Sequence, residues 1–306
     1  MIEYFKIFND TGYSGEYYNL KIDLHIHTKT GSDGSLPVEQ VIAEAKRRNI
    51  GFMSVTDHDS LIAQPKAIEL TKESNIRYIT GVELNVAFQV PEQKPISLDF
   101  LGYNFDINDK TLAAKLAIMR EHRENRAREI LENINSEFKK EGLPLFTEQD
   151  VQNIRDSVDG AFGRPHIAKY MINKGIVQDM QEAFDRYLVK CDVPKYPLTL
   201  PEAAQLIHDA GGVLVLAHGN EPGGTSLVTI TKDLRRQTRI IAHNMLEYIN
   251  GLEVWHPRHD DATRACYYEF TKKNHLLSTG GSDDHQKPII MGTVDMPQLV
   301  ADQFQF

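Results

Sequence analysis

The chain reads as an α/β fold, a parallel sheet or barrel wrapped by helices, with a helical segment inserted in its middle. Three observations carry this reading. Short apolar runs alternate with stretches of helical periodicity before residue 109 and again after residue 195. Between those points the alternation stops and only helical spacing remains. Residues suited to holding cations recur where the apolar runs end, which is where parallel α/β folds gather their ligands. The division that follows is 1–108 and 196–306 for the two parts of the α/β body, and 109–195 for the insertion.

The elements follow in order. Residues 1–20 hold Tyr4, Tyr13, Tyr17 and Tyr18 among Gly, Asn and Asp, and read as an added turn or hairpin with no assigned role. Lys21–His27 is a buried strand ending in polar residues. Val38–Arg48 is a helix, opened by Pro37 and stopped near Asn49. A strand at Phe52–Thr56 and a helix around Ala63–Ser74 come next, then strands at Tyr78–Phe88 and Ile96–Tyr103. In the insertion, Leu112, Leu116, Met119, Ala127, Ile130, Leu131 and Ile134 recur at helical spacing over Lys110–Lys140. Further helices are expected at Arg164–Asn173 and Asp179–Leu188. The body resumes with strands at Val213–Ala217, Gly251–Trp255 and Leu276–Thr279, each after a helical stretch.

The composition sets limits on function. The 306 residues are 41% hydrophobic and 25% charged, ordinary for a soluble globular protein. A formal charge of −9 makes a long nucleic-acid duplex a poor partner, because phosphate backbones are bound by basic surfaces. The two cysteines, Cys191 and Cys266, form no CxxC motif and are expected as reduced thiols in a cytoplasmic protein. The N-terminus does not read as a signal peptide, and the longest apolar run, Val213–Ala217, is far too short to span a bilayer, so no membrane association is expected.

The chemistry lies at the strand ends. In a strand, residues two apart face one side, so His25 and His27 of Asp23-Leu24-His25-Ile26-His27 point together. Thr56-Asp57-His58-Asp59 follows the next strand. Glu83 interrupts an apolar strand in Gly81-Val82-Glu83-Leu84-Asn85. His218 ends Leu216-Ala217-His218, and Gly280-Gly281-Ser282-Asp283-Asp284-His285 closes the series. Any one of these alone would be a capped turn or a satisfied polar residue. Five together would repel one another and pay heavy desolvation unless cations lay between them. Mixed nitrogen and oxygen donors suit Zn2+, Mn2+ or Fe2+ better than Ca2+.

In order and spacing, His25-x-His27, Ser32-Asp33-Gly34, Thr56-Asp57-His58-Asp59, Gly81-Val82-Glu83, Ala217-His218 and Gly281-Ser282-Asp283-Asp284-His285 resemble the motifs of the polymerase and histidinol phosphatase (PHP) family. Arg123, Arg126 and Gly163-Arg164-Pro165-His166 of the insertion resemble the branch that includes nucleoside 3′,5′-bisphosphate phosphatases and a related 5′-to-3′ exoribonuclease. The resemblance implies a distorted, TIM-like (β/α)7 barrel with a helical lid and two or three divalent ions (Mn2+, Zn2+ or Fe2+). It implies that His25, His27, Glu83 and Asp283 hold one ion. Glu83 would bridge to a second, also held by His218, and Asp33, His58 and His285 would hold a third. Where the family usually has a His after the bridging Glu, this chain has Asp99. That residue is expected to be a ligand, harder and anionic.

Two ions roughly 3.5–4 Å apart can share a hydroxide that attacks phosphorus in line with the leaving oxygen. No Gly-x-Ser-x-Gly motif and no Gly-x-x-x-x-Gly-Lys-Ser/Thr loop offers another route. The resemblance assigns phosphate contacts to Arg123 and Arg126, while Arg120 reads as a solvated neighbour. Arg164 and His166 stand at a helix start, suited to an anion, with His166 as phosphate ligand or general acid. His259 is expected near the substrate by the same resemblance. His256 divides evenly between contact and rim packing. His122, His208, His243 and His275 read as ordinary helical histidines, and Arg235, Arg236 and Arg239 as a solvated face. The expected reaction is hydrolysis of a phosphomonoester on a nucleotide or short oligonucleotide. The alternatives are a small-molecule phosphatase of the histidinol phosphate type and a non-catalytic metal-binding module.

Overall fold

The computed structural model describes residues 20–90, 94–157, 163–223 and 225–304. The hairpin expected over residues 1–20 lies, Leu20 apart, outside them. Among the described residues, eight strands form two sheets. In the first, β1 (Lys21–Asp23), β2 (Ile50–Met53) and β3 (Arg77–Tyr78) pair in parallel in that order. In the second, β4 (Gly81–Phe88), β5 (Ile96–Tyr103), β6 (Val213–Leu216), β7 (Gly251–Trp255) and β8 (Leu277–Gly280) lie side by side in chain order.

The fold is α/β as expected, but the ladders do not close into one barrel. The sheets meet through two isolated bridges, Ile26 with Asp284 and His58 with Glu83. Nor is the larger sheet all parallel: β4–β5 and β5–β6 are antiparallel, while β6–β7–β8 run parallel. The reason lies in chain length. Only residues 89–95 join β4 to β5, and a parallel crossover needs a dozen or more. The expected strand Lys21–His27 stops at Asp23, because beyond it the backbone is shared between sheets. Leu24 N donates to Gly280 O and His27 N to Asp284 O, while Asp283 N donates to His25 O. The expected strand Tyr78–Phe88 is likewise two, β3 and β4.

Helix α1 (Val38–Arg47) buries Val38, Val41, Ile42 and Ala45, the spacing of one helical face. It packs on α2 (Gln64–Glu73) over the three-stranded sheet. The insertion opens with α3 (Lys110–Glu141), capped by the Asp109 side chain, which accepts from Leu112 N at 2.7 Å. It ends at Gly142 with φ +69, the left-handed turn that glycine adopts freely. Then come α4 (Glu148–Asp156), α5 (Arg164–Asn173) and α6 (Met180–Ala183), the last running into a π turn over Phe184–Leu188.

Helix α3 serves two cores. Leu112, Leu116 and Met119 pack with Val82, Phe100 and Leu214 of the body. Ala127, Ile130, Ile134 and Phe138 pack with Ile154, Ile167, Met171 and Tyr187 of the insertion. The body continues with α7 (Leu200–Asp209), α8 (Leu234–Asn244), α9 (Asp261–Asn274) and a short α10 (Leu299–Asp302) that the sequence pattern does not announce.

Candidate metal centre

Strand β4 and the segments that follow β1, β2, β6 and β8 bring the polar cluster together. His25 and His27 leave β1 just where its ladder ends. Gly281 makes the approach possible, since a Cβ there would overlap the His25 backbone. His218 follows β6 with φ +24, and Asp283 follows β8 with φ +53. Non-glycine residues seldom hold such angles, and strain of this kind collects at functional sites.

His25 Nε2 lies 3.1 Å from His27 Nε2, 3.4 Å from Glu83 Oε2 and 3.3 Å from Asp283 Oδ1. His27 Nε2 lies 3.1 Å from Glu83 Oε2 and 3.4 Å from Asp283 Oδ1. Donor atoms about 2.0–2.1 Å from a tetrahedral ion stand roughly 3.3–3.4 Å from one another. The cluster therefore has the dimensions of a coordination shell. The other oxygen of Glu83, Oε1, is 3.1 Å from His218 Nε2. On another side, Glu83 Oε2 is 3.1 Å from His58 Nδ1, and Asp33 Oδ1 is 3.4 Å from His285 Nε2.

Among the described residues, three sets of side chains have atoms close enough to share an ion: His25, His27 and Asp283; His25, Glu83 and His218; and His27, Asp33, His58 and His285. Eight of the nine expected ligands are thus brought together. His27 also joins the third set, a role the motif reading did not give it, and its ring stacks on His285 with centroids 3.9 Å apart.

Buried oxygens test whether cations fit. Glu83 Oε2, Asp283 Oδ1 and Asp33 Oδ1 are buried without a hydrogen-bond donor. Bare carboxylates in such a place cost several kcal/mol each unless a cation is near. Burial alone would raise the Glu83 carboxyl, yet His58 and His25 hold it well below the usual range. Burial opposes charge on His285 too, but Asp33 and Asp283 push it up to about 10. His218 is likewise pushed up to about 10, chiefly by its hydrogen bond to Glu83 against the effect of burial. Protons on these rings occupy the role that divalent ions fill better.

Around the donors stands a supporting layer. Glu253, fully buried, has Oε1 3.0 Å from His25 Nδ1 and accepts from His218 N through Oε2 at 2.7 Å. A carboxylate on the far nitrogen fixes the tautomer and aim of a metal-binding imidazole. Asp57 accepts from Thr28 N and Ser32 Oγ, each at 2.7 Å, and so shapes the loop that carries Asp33. His256 is buried with Nδ1 accepting from Arg258 N, which places its proton on Nε2, 3.5 Å from Asp283 Oδ2. Sequence reasoning passed over Glu253, although its signal, a lone acid inside an apolar strand, is the one that marks Glu83.

Asp99 stands apart from the three sets. It is 4.0 Å from His218 Nε2 and takes hydrogen bonds from Asn85 and Thr225. It lines a cavity of about 150 Å³ that also touches Asp33, His58, Arg123, Arg126, Arg164 and His166. The two arginines of α3 are paired within the protein, Arg123 with Asp59 and Arg126 with Asp192, and Arg164 reaches Asp192 at 2.7 Å. His166 Nδ1 accepts from Gly163 N at 3.2 Å.

His259 does not line this cavity, and its ring stands 5.3 Å between centroids from that of His256, beside the ligand cluster. It is buried, its Nδ1 donates to Val254 O at 3.0 Å and its Nε2 accepts from Asn220 N at 3.3 Å, so both ring nitrogens are engaged inside the fold. His122, expected as an ordinary helical histidine, instead lines the cavity edge-on to Tyr196. Helical periodicity alone does not show which residues of a long helix lean over a pocket. His208 is satisfied by Asn250 at 2.7 Å, and Arg235, Arg236 and Arg239 are exposed, both as expected.

Known proteins resemble this chain over most of its length. A PHP domain model matches residues 23–189. The 5′-3′ exoribonuclease Rnm of Escherichia coli is 30% identical over 283 residues, which cover 91% of this chain and 88% of that protein. The 3′,5′-nucleoside bisphosphate phosphatase of Chromobacterium violaceum is 28% identical over 280 residues, 86% of this chain and 87% of that protein. Among solved structures, an amidohydrolase from Chromobacterium violaceum with bound sulfate and no metal superposes with a TM-score of 0.73, at 26% identity over 90% of this chain and 92% of that one.

Proposed function

The chain belongs to the PHP domain family, and from that premise we propose that it hydrolyses a phosphomonoester of a nucleotide, a nucleoside 3′,5′-bisphosphate or the end of a short oligonucleotide. It is a hydrolase of phosphoric ester bonds by kinship. The nucleotide substrate is the proposal, and the observation that carries it is the pairing of two features in one place. Glu83 oxygens lie 3.1–3.4 Å from His25, His27, His58 and His218, which belong between them to all three ligand sets, and Asp33 and His58 of the third set also line a cavity walled by arginines.

His25, His27, Glu83 and Asp283 would hold one divalent ion, with Glu83 shared toward His218, and Asp33, His58 and His285 would hold another. Asp99 would complete the His218 side once released from Asn85 or Thr225. Mn2+, Zn2+ or Fe2+, when bound, supplies Lewis acidity that makes water a nucleophile near neutral pH and offsets phosphoryl charge. The chain's own part is positional. Glu253 aims His25, and Arg123, Arg126 and Arg164 present guanidinium forks to phosphate oxygens after exchanging Asp59 and Asp192 for substrate. His166 has one ring nitrogen accepting from Gly163 N, so the other carries a proton in the neutral ring and can donate to the leaving oxygen. The segment 109–195 acts as the lid that bears these groups. The cysteines, both unpaired, fit a cytoplasmic setting. Among the described residues no helix is long and apolar enough to cross a membrane.

The test is a comparison of kcat/KM for adenosine 3′,5′-bisphosphate and histidinol phosphate with Mn2+-loaded protein. The bisphosphate is expected to be favoured at least tenfold. Faster turnover of histidinol phosphate overturns the nucleotide reading.

A further inference from the structure

The cavity beside the ligand cluster holds four cationic side chains, Arg123, Arg126, Arg164 and Lys195. Three are already neutralised by carboxylates: Arg123 by Asp59, and Arg126 and Arg164 by Asp192. Lys195 is different. It is half-buried and, among the described residues, has neither a hydrogen bond nor an ion pair. Asp99, which lines the same cavity and whose charge favours that of Lys195, already accepts from Asn85 and Thr225. Burial and the neighbouring Arg123 and Arg126 work against its charge, while Asp99 and Asp59 support it, and the balance lies below the ordinary lysine range. An ammonium kept from full solvation and left without an acceptor is unfavourable unless an anion is to be received there.

We propose that Lys195 binds a second anionic group of the substrate, a phosphate other than the one being hydrolysed, and so sets selectivity for a bisphosphorylated nucleotide over a monophosphate. This rests on the reading of the protein as a nucleotide phosphoesterase. Two kinds of side chain line this one cavity, ligand-set members and cations. Asp33 and His58 line the cavity and belong to a ligand set, so the scissile group sits on their side. Lys195 stands at the junction of the insertion with the body, five residues before α7, next to Tyr196, whose ring packs against the body core and meets His122 edge-on at 5.6 Å between centroids. A substrate seated on the ligand cluster therefore passes its remaining part along this wall. A charge-assisted hydrogen bond from lysine to phosphate contributes enough to change affinity about 10- to 100-fold.

The experiment is steady-state kinetics of the metal-loaded full chain with adenosine 3′,5′-bisphosphate and with the 3′- and 5′-monophosphates. The proteins are wild type, Lys195→Met and Lys195→Arg, with folding checked by circular dichroism and metal content measured. The expected result is a wild-type preference for the bisphosphate. In Lys195→Met the bisphosphate-to-monophosphate ratio of kcat/KM should fall about 10- to 100-fold, mainly through KM, with partial recovery in Lys195→Arg. An unchanged ratio in Lys195→Met overturns the proposal, as does an equal fall in kcat on all substrates, which would make Lys195 a proton donor. Equal wild-type activity on all three compounds also overturns it while leaving the phosphoesterase reading intact. No hydrolysis of any of them, with metal bound, means that the nucleotide reading itself has failed.

Discussion

At the scale of single residues, Glu83 and Glu253 make the sharpest contrast. Glu83 has two oxygens aimed at different ligand sets, so replacing one with an amide nitrogen removes an anionic bridge. Glu83→Gln is expected to lower kcat by on the order of 1000-fold or more with the fold retained, and to reduce bound metal per chain, as read by elemental analysis beside circular dichroism. Near-normal turnover at saturating metal would deny the bridging role. Glu253 touches no ion in this scheme and acts by holding His25 and the His218 backbone. Glu253→Gln should weaken metal binding about 10- to 100-fold, seen as a rightward shift in metal titration, with activity restored at high metal. Much of this was legible in the sequence, because a charged residue at a strand end is conspicuous in an apolar setting. His27 was read into one set and joins two, and His122 was read as bland, because spacing along a chain cannot tell how rings stack across it. His259 carried a role by resemblance, yet its ring nitrogens are both engaged by Val254 and Asn220.

At the scale of elements, helices were legible nearly to the residue: the patterns over Val38–Arg48 and Arg164–Asn173 reappear as α1 and α5. Strand direction was not, since period-two alternation is the same for parallel and antiparallel neighbours, and the short length of chain between β4 and β5 decided the matter. The element with the widest reach is α3. Phe138 is fully buried in the insertion core, in ring contact with Phe146 and Tyr187. Phe138→Ala should destabilise the insertion by about 3–5 kcal/mol, measured by urea unfolding. Metal binding by the body should persist in this variant, because its donors lie in the other core's territory, while phosphate affinity should fall with the arginines' support. Loss of metal binding together with stability would mean that the two cores do not unfold separately.

For the whole molecule, the balance between protons and cations sets stability. His218 and His285 in the metal-free fold are held up to about 10, above the ordinary histidine value of 6.5. A raised histidine contributes stability that is fully present below its unfolded value and is lost as pH climbs through its folded one. The metal-free protein is therefore expected to melt at progressively lower temperature between pH 7 and 10. Metal ions need those same nitrogens unprotonated, so their affinity should rise over the same interval. At a free metal concentration a hundred times the dissociation constant, the gain is about 2.7 kcal/mol per independent site. Differential scanning calorimetry with and without Mn2+ should show the two melting curves drawing apart as pH increases. Parallel curves would remove the histidines from the metal shell.

Because one unbroken helix of 32 residues lends its first turns to one core and its remainder to another, the roof that the insertion would form over the proposed site has no free hinge along that beam. Rocking the roof would drag Leu112, Leu116 and Met119 out of their sockets. Admission to that site thus falls to side chains that let go of one another, Arg123 from Asp59 and the Asp192 partners from their shared carboxylate. Amide exchange along α3 should then stay slow whether or not a nucleotide is seated, and the traffic of substrate would be timed by the breaking of ion pairs rather than by the swing of a domain.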